Sequence, residues 1–577
     1  MFALQRNQKL LALALSIFLL MFSCVPSKLP STRGNGINII LMIGDGMGWE
    51  MARAGAVGSG AKMYKEGKGQ GLNFQKLSGY TLSSTYGTII NGQDGKLSTG
   101  NSALDGTNSK TAQSSVLPGF VFNPKINIVG YDVARGGANP WTPGNDKEYI
   151  QQNYPDSAGT ATTIYTGVKT YNNAMGVDIY ERRQTTILEQ AALKGKSTGL
   201  VTSVPISHAT PGAAASFVNR RSKYDAASPD LDNILQQTLK IFKPTVLLGG
   251  GHPLDLGNKT NKSGVYNWEY ITQSTYEELK TKPNNNYGYK FLERSPNAAK
   301  TLLETAKSLD PNKKEKLFGL YGARGQGGNL PFSTANGDYS TTGFTTSLFS
   351  TASKNNQIPK VEKIRPLAPN ETDAQFIKRE INENPKLADL TLAALTVLGK
   401  DPDGFWLMVE GGDIDWACHD DNMDNLIGTV KDFDQAVGTT IDWIKKNGGW
   451  EKNLLIVTAD HDHHLTLNPN FPQLLKRFGA EDLTYNKHKP NEAGHFWGAS
   501  ADIKYGWGTH SNHLVPIYYQ GGPVNFDKYV GQNVTFLDRP PGGATTNYTI
   551  PGVKGAVDES HIYQVMYETI NAPAPKT

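Results

Sequence analysis

The sequence predicts an α/β fold: a central, mostly parallel sheet sandwiched by helices, with several loop-rich insertions. Three observations carry that expectation. Short apolar runs recur along the chain without polar alternation, as a sheet covered on both faces requires. Helical stretches with recognisable caps fall between them. Acidic residues and histidines stand just after several of the runs, where open α/β sheets bind their ligands.

The runs that read as buried strands are Ile37–Ile43, Thr198–Thr202, Phe405–Val409, Asn453–Thr458 and Val515–Tyr519. Thr186, with Glu189 three residues on, reads as the capping box of a helix over Ile187–Lys194, which Gly195 stops. Asp424–Lys446 reads as a longer helix ending before Gly448-Gly449. Three regions break the rhythm: Gly92–Asp146, Pro253–Arg379 and Leu465–Tyr505. They read as insertions decorating one domain over residues 37–570, and no repeat of fixed period is visible.

Composition narrows the classes. The chain has 577 residues, 38% hydrophobic and 19% charged, so it can bury a sizeable core and is not wholly disordered. Its 61 glycines and 31 prolines point to many loops. A net charge of +4 gives no nucleic-acid-binding patch. Two cysteines exclude a disulfide scaffold and a four-cysteine zinc site.

At the N-terminus, Arg6 and Lys9 precede an uncharged apolar run, Leu10–Phe22. The run is shorter than the ~20 residues of a membrane span and suits a secretory signal over residues 1–23. Ser23-Cys24 resembles the end of a bacterial lipoprotein signal. Lipidation of Cys24 and ordinary cleavage nearby stand as alternatives. With lipid on Cys24, Cys418 is the only other thiol and no intrachain disulfide can form. Residues 25–36 read as a tether. The chemistry is therefore expected outside the cytoplasm: periplasmic, outer-membrane-anchored or extracellular in a bacterium.

The strand ends carry the candidate chemistry. Asp45 follows the first run, Glu410, Asp413 and Asp415 follow the third, and Asp460-His461 follow the fourth. Asp415 and His419 are four apart, share a helix face and can bind one cation. Glu410 is placed for a neighbouring ion. Oxygen-rich ligation suits Mg²⁺ and mixed His/Asp ligation suits Zn²⁺. Asp413, Asp420 and Asp421 read as solvated or capping. Of the histidines near the strand ends, His461 and His510 read as ligands, and His463, His464 and His513 as peripheral. Asp156 reads as the N-cap of a small-residue helix, which sets Ser157 at an N-terminus that stabilises an anion. A metal beside Ser157 would turn its hydroxyl into a nucleophile.

Six blocks now stand in order: NIILMIGDGMG (38–48), DSAGTATTIYTGVKTYNNAMGVD (156–178), VPISHATPGAAASFVNRR (204–221), LMVEGGDIDWACH (407–419), VTADHD (457–462) and GTHSNHLVPIYY (508–519). They resemble the alkaline phosphatase family: phosphomonoesterases with two zinc ions, one magnesium ion and a phosphoserine intermediate. The resemblance implies that Ser157 is the nucleophile, on the second zinc with Asp45, Asp460 and His461. It implies Asp415, His419 and His510 on the first zinc, and Asp45, Thr210 and Glu410 on magnesium. Arg221 would clamp the phosphate through two parallel hydrogen bonds, with adjacent Arg220 as the alternative.

Departures from the better-known bacterial pattern fall around the ligands. His208 stands where some members have Asp, and Trp416 where others have Lys or His. His463 stands two residues after the zinc-binding histidine, as in some members only. These three are expected to tune metal demand, phosphate release and pH optimum. The substrates implied are small phosphate monoesters. Many relatives are dimers, and the sequence leaves a homodimer open. Sulfatase chemistry is excluded, because Ser157-Ala-Gly-Thr-Ala lacks the C/S-x-P-x-R context. Diester cleavage on the same scaffold remains the rival. A catalytically silent metal-binding lipoprotein fits poorly with Ser157 and Arg221 beside a full ligand set.

Overall fold

The structure is a computed structural model that describes residues 34–90, 120–128, 130–146, 149, 154–227, 229–255, 266–281, 285–323, 329–340, 365, 367–483, 490–498 and 510–574. Residues 1–23, read as a signal, Cys24 and most of the segment read as a tether lie outside the described residues, as do parts of all three regions read as insertions. No helix among the described residues is long and apolar enough to cross a membrane.

The strands run in chain order as β1 (Asn38–Gly44), β2 (Gly79–Ser84), β3 (Ser197–Pro205), β4 (Val246–Gly250), β5 (Lys290–Glu293), β6 (Leu317–Leu320), β7 (Phe405–Gly411) and β8 (Asn453–Thr458). Then come β9 (Asp462–His463), β10 (Leu465–Leu467), β11 (His495–Trp497), β12 (His510–Ser511), β13 (Val515–Gly521), β14 (Val534–Asp538), β15 (Thr546–Ile550) and β16 (Ala556–Asp558). Ten of them form one sheet in the order β16-β2-β13-β8-β1-β7-β3-β4-β6-β5. Every pairing in it is parallel except those of β13, which runs against β2 and β8. The mostly parallel sheet expected from the uninterrupted apolar runs is therefore present. The segment read as an insertion between Pro253 and Arg379 also supplies the sheet's edge, β5 and β6. Those two strands are only four residues long, too short for a periodic signal.

Side chains alternate across the sheet into two cores. From β1, Ile40 and Met42 enter one core, whereas Ile39, Leu41 and Ile43 enter the other. From β7, Leu407 and Val409 go one way and Trp406 and Met408 the other. All of these are fully buried, and each is worth roughly 1.5–3 kcal/mol of transfer free energy.

The helices that bear on the site are α1 (Trp49–Gly58), α2 (Ser157–Thr166), α3 (Ile187–Leu193), α4 (Ala209–Ala214), α5 (Leu387–Leu398), α6 (Asp413–His419), α7 (Met423–Lys446) and α8 (Ser560–Asn571). Apolar residues of α1, α5 and α7 fill the first core, and those of α2, α3 and α8 the second. The expected capping box is formed: Thr186 N–H donates to Glu189, and Glu189 N–H donates to Thr186 Oγ1. Buried ion pairs tie the loop after α2 to the end of β16 and the start of α8, with Lys169 Nζ 3.0 Å from both Asp558 and Glu559.

Candidate active site

Parallel strands end at a common edge, and that edge gathers the candidate residues. In the register of the sheet, Ile43 of β1 lies beside Glu410 of β7 and Thr458 of β8, and Thr202 of β3 lies on the other side of Glu410. Asp45 and Asp460 therefore leave neighbouring strands at the same level, with Glu410 two residues short of it on β7. All three are buried.

Ser157 is the first residue of α2. Asp156 caps the helix by accepting from Gly159 N–H at 2.9 Å, and the same carboxyl oxygen accepts from Asn173 N–H at 3.1 Å. Its other oxygen accepts from Arg221 Nη1 at 3.0 Å. One side chain thus fixes the serine's backbone and the guanidinium together. Arg221 Nη2 also lies 3.5 Å from His208 Nε2. Arg221, rather than Arg220, makes these contacts.

Two groups of ligand atoms stand side by side. In the first, Ser157 Oγ is 3.3 Å from Asp45 Oδ1 and 3.1 Å from His461 Nε2. His461 Nε2 is 3.2 Å from Asp45 Oδ1 and 3.5 Å from Asp460 Oδ2. In the second, Asp415 Oδ1 lies 3.3 Å from His419 Nε2, 2.7 Å from His463 Nε2 and 3.1 Å from His510 Nε2. His461 Nε2, 3.9 Å from Asp415 Oδ1, joins the two groups. Behind them, Thr202 Oγ1 donates to Glu410, whose other oxygen and the Thr210 hydroxyl are buried without a direct hydrogen bond.

The donor set suits cations. His510 Nδ1–H donates to the Pro155 carbonyl at 2.8 Å, which leaves the Nε2 lone pair facing the Asp415 carboxylate and the His419 ring nitrogen, the latter at 3.2 Å. Lone pairs turned on one another at that range repel unless a positive charge lies among them. Asp45, Asp460, Asp415 and Glu410 also bring four carboxylates into one buried space.

The electrostatics carry the same signature. Burial, with Asp415 and Glu410 nearby, pushes the Asp45 carboxyl well up, and burial with Asp45 raises Asp460 to about 8. Burial also raises Glu410. Burial opposes ionisation of Asp415 too, yet His419 and the hydrogen bond from His463 hold it well below the usual range. Burial depresses His463, and lowers His510 to about 4 and His208 to about 3. His510 is thus neutral at alkaline pH, as a ligand must be.

Every site residue expected from the sequence lies among the described residues, and the strand ends bring them together. His463, read as a neighbour, makes the shortest contact to Asp415. Trp416 and His208 stand edge to face, ring centroids 5.6 Å apart, and Phe332 also packs against Trp416. Phe332 has no sequence signal of its own, because the segment carrying it reads as insertion. One expectation is corrected in part: Asp413, Asp420 and Asp421, read as solvated or capping, are buried, and Asp420 is the C-cap residue of α6. Asp413 accepts from Ser203 Oγ at 2.6 Å, a partner that lies on β3 and is invisible from local sequence.

Fold and site together define an α/β protein with a serine hydroxyl set among buried side chains that could hold metal ions. The sequence pattern of the family described as alkaline phosphatase matches residues 140–511. The chain belongs to the alkaline phosphatase family. It is 30% identical to alkaline phosphatase 4 of Bacillus subtilis over 318 residues, 55% of this chain and 50% of that protein. It is 31% identical to the alkaline phosphatase of Escherichia coli over 320 residues, 53% of this chain and 58% of that protein. These matches span about half the length of the relatives. The solved structure of a cold-active alkaline phosphatase from a psychrophilic Shewanella is similar in fold, with a TM-score of 0.52 at 20% identity, covering 94% of this chain and all of that one.

Proposed function

We propose that the protein hydrolyses small phosphate monoesters at alkaline pH through a phosphoserine on Ser157, and that it works outside the cytoplasm. The observation that carries this reading is the position of Ser157 Oγ, 3.1 Å from His461 Nε2 and 3.3 Å from Asp45 Oδ1, at the start of a helix and beside Arg221. Asp45, Ser157, Asp460 and His461 would hold one zinc ion, and Asp415, His419 and His510 the other. Asp45, Thr210 and Glu410 would hold magnesium. Bound there, these cations supply Lewis acidity, which lowers the serine pKa and offsets charge on the phosphoryl oxygens.

The chain's own residues then act as follows. Arg221 donates two parallel hydrogen bonds to phosphoryl oxygens, held in that orientation by Asp156. The N–H groups at the start of α2 that the Asp156 cap does not take favour the same anion. Ser157 Oγ, its proton removed, attacks phosphorus in line as the ester oxygen departs on the opposite side. Water then attacks phosphorus, the bond to Oγ breaks, and the serine regains its proton as phosphate is released. A deprotonated serine and deprotonated water favour alkaline pH. Export is supported by the apolar run Leu10–Phe22 after Arg6 and Lys9, with lipid on Cys24 and ordinary cleavage nearby as the two alternatives.

The test is Ser157→Ala with zinc and magnesium supplied. The expected result is loss of p-nitrophenyl phosphate turnover and of the phosphoenzyme, with metal content intact. Equal turnover by the variant would overturn the assignment. A monoester and a diester of the same leaving group, run side by side on the wild type, test the preference for monoesters.

A further inference from the structure

The ribbon β9–β12 has two faces with different surroundings. His463 pairs with His510 and Asp462 with Ser511. Residues directly opposite on an antiparallel pair share a face, and successive residues alternate. His463 and His510 accordingly face Asp415. Asp462 and Ser511 face the other way, with Ser511 Oγ donating to Asp462 Oδ2 at 2.6 Å. Behind that face lies a cavity of about 270 Å³, lined by Asp462, His513, Trp49, Trp141, Glu50 and Arg53 among others.

The lining chemistry defines an occupant. Trp49 and Trp141 form an aromatic corner, ring centroids 5.4 Å apart at 47°. Arg53 is consumed within the protein: it pairs with Glu50 at 2.8 Å, donates to the carbonyls of Tyr64 and Leu467, and lies over Trp49. Asp146, also in the lining, is paired with Arg135. Asp462 and His513 remain turned to the cavity. His513 Nδ1 lies 3.4 Å from Asp462 Oδ2, so donation there leaves Nε2 as an acceptor. The cavity thus offers acceptors and an aromatic wall, which call for a ligand rich in donors, with a C–H face or an ammonium to set on Trp141. Glu50 is paired with Arg53 and Asp146 with Arg135, which leaves Asp462 as the lining carboxylate with no Lys or Arg partner among the described residues, and so the group that an ammonium would meet.

We propose that this cavity is a second ligand site, separate from the metal-ligand cluster, for a small polyhydroxylated amine of the amino-sugar type. Its ammonium and hydroxyls donate to Asp462 and His513, and its ring stacks on Trp141.

Isothermal titration calorimetry of the metal-loaded full chain with D-glucosamine, in saturating inorganic phosphate, tests this without relying on turnover. One saturable site is expected. D-glucose, which lacks the ammonium, should bind about tenfold more weakly or worse, as loss of one charged hydrogen bond implies. Trp141→Ala and Asp462→Asn should each weaken glucosamine about tenfold, and Trp141→Phe should retain it. Trp141 sits in the turn bridged by Asn139 and Thr142, away from the sheet, so its replacement decides the matter even if Asp462→Asn fails to fold. Absence of saturable heat, equal binding of glucose and glucosamine, or indifference to Trp141→Ala overturns the proposal.

Discussion

Asp415 and His463, 48 residues apart in sequence, meet at 2.7 Å, the shortest contact that either makes within the ligand cluster. The His463 ring is buried, and Gly46, in the left-handed region at φ +64°, lies against it: a Cβ there would fall 2.5 Å from the ring. The imidazole is thus clamped from behind while it holds one oxygen of Asp415. A histidine so placed orients the carboxylate that would bind the first zinc.

His463→Ala is expected to lower zinc affinity of that site roughly 10–100-fold, the usual cost of losing an orienting partner. Competition against a chelator measures it. Zinc affinity equal to wild type would show that Asp415 needs no such support.

Removing metal exposes a pH dependence of stability. Burial and Asp45 raise the Asp460 carboxyl to about 8, against about 3.9 for an unfolded aspartate. A carboxyl raised on folding favours the fold while protonated. Its contribution is complete below the unfolded pKa and is lost as pH rises through about 8. Chelated protein should therefore melt lower at pH 9 than at pH 7.5, a window above the unfolded histidine pKa of about 6.5 in which the depressed imidazoles do not titrate, whereas metal-loaded protein should not, because a cation replaces the proton. Scanning calorimetry at the two pH values checks this, and identical shifts with and without metal would refute it.

His208 is neutral and lies 3.5 Å from Arg221 Nη2. His208→Asp would put an anion there, competing with phosphate for the guanidinium. The expected outcome is a several-fold rise in both KM and the inhibition constant for phosphate, with an altered magnesium requirement. Magnesium titrations that superimpose on wild type would remove His208 from any role near that ion.

Gly428 on α7 lies where a Cβ would come 2.2 Å from the Ser333 carbonyl oxygen. The 329–340 segment is held there by Asn425 Nδ2 donating to Ser333 O at 3.1 Å and Lys431 Nζ donating to Ala335 O at 2.9 Å. The same segment carries Phe332, which backs Trp416. Gly428→Ala should push it away, at a cost of about 1–3 kcal/mol from overpacking. Denaturant unfolding measures the loss, and a neutral effect would show that the segment yields freely.

Much of the architecture was legible because it rests on local pattern. Unbroken apolar runs such as Asn453–Thr458 can be buried only between two helical layers, and that strand spans the expected residues. The Thr186–Glu189 capping box closed as its spacing required. Short strands were not legible: Lys290–Glu293 and Leu317–Leu320 join the sheet through pairing with their neighbours, not through their own composition. Burial of Asp413 was hidden for a related reason, since the Ser203 hydroxyl that satisfies it comes from β3.

The sequence by itself determined the family, the α/β class and the identity of the candidate ligands, because strand-end position and residue chemistry are written in order along the chain. Only the tertiary structure decided which atoms face one another. It set His463 against Asp415, placed Asp462 on the reverse of the same ribbon, and backed Trp416 with a ring from a distant segment. Those contacts depend on strand register and side-chain direction, which arise when separate stretches pack together and leave no trace in local spacing.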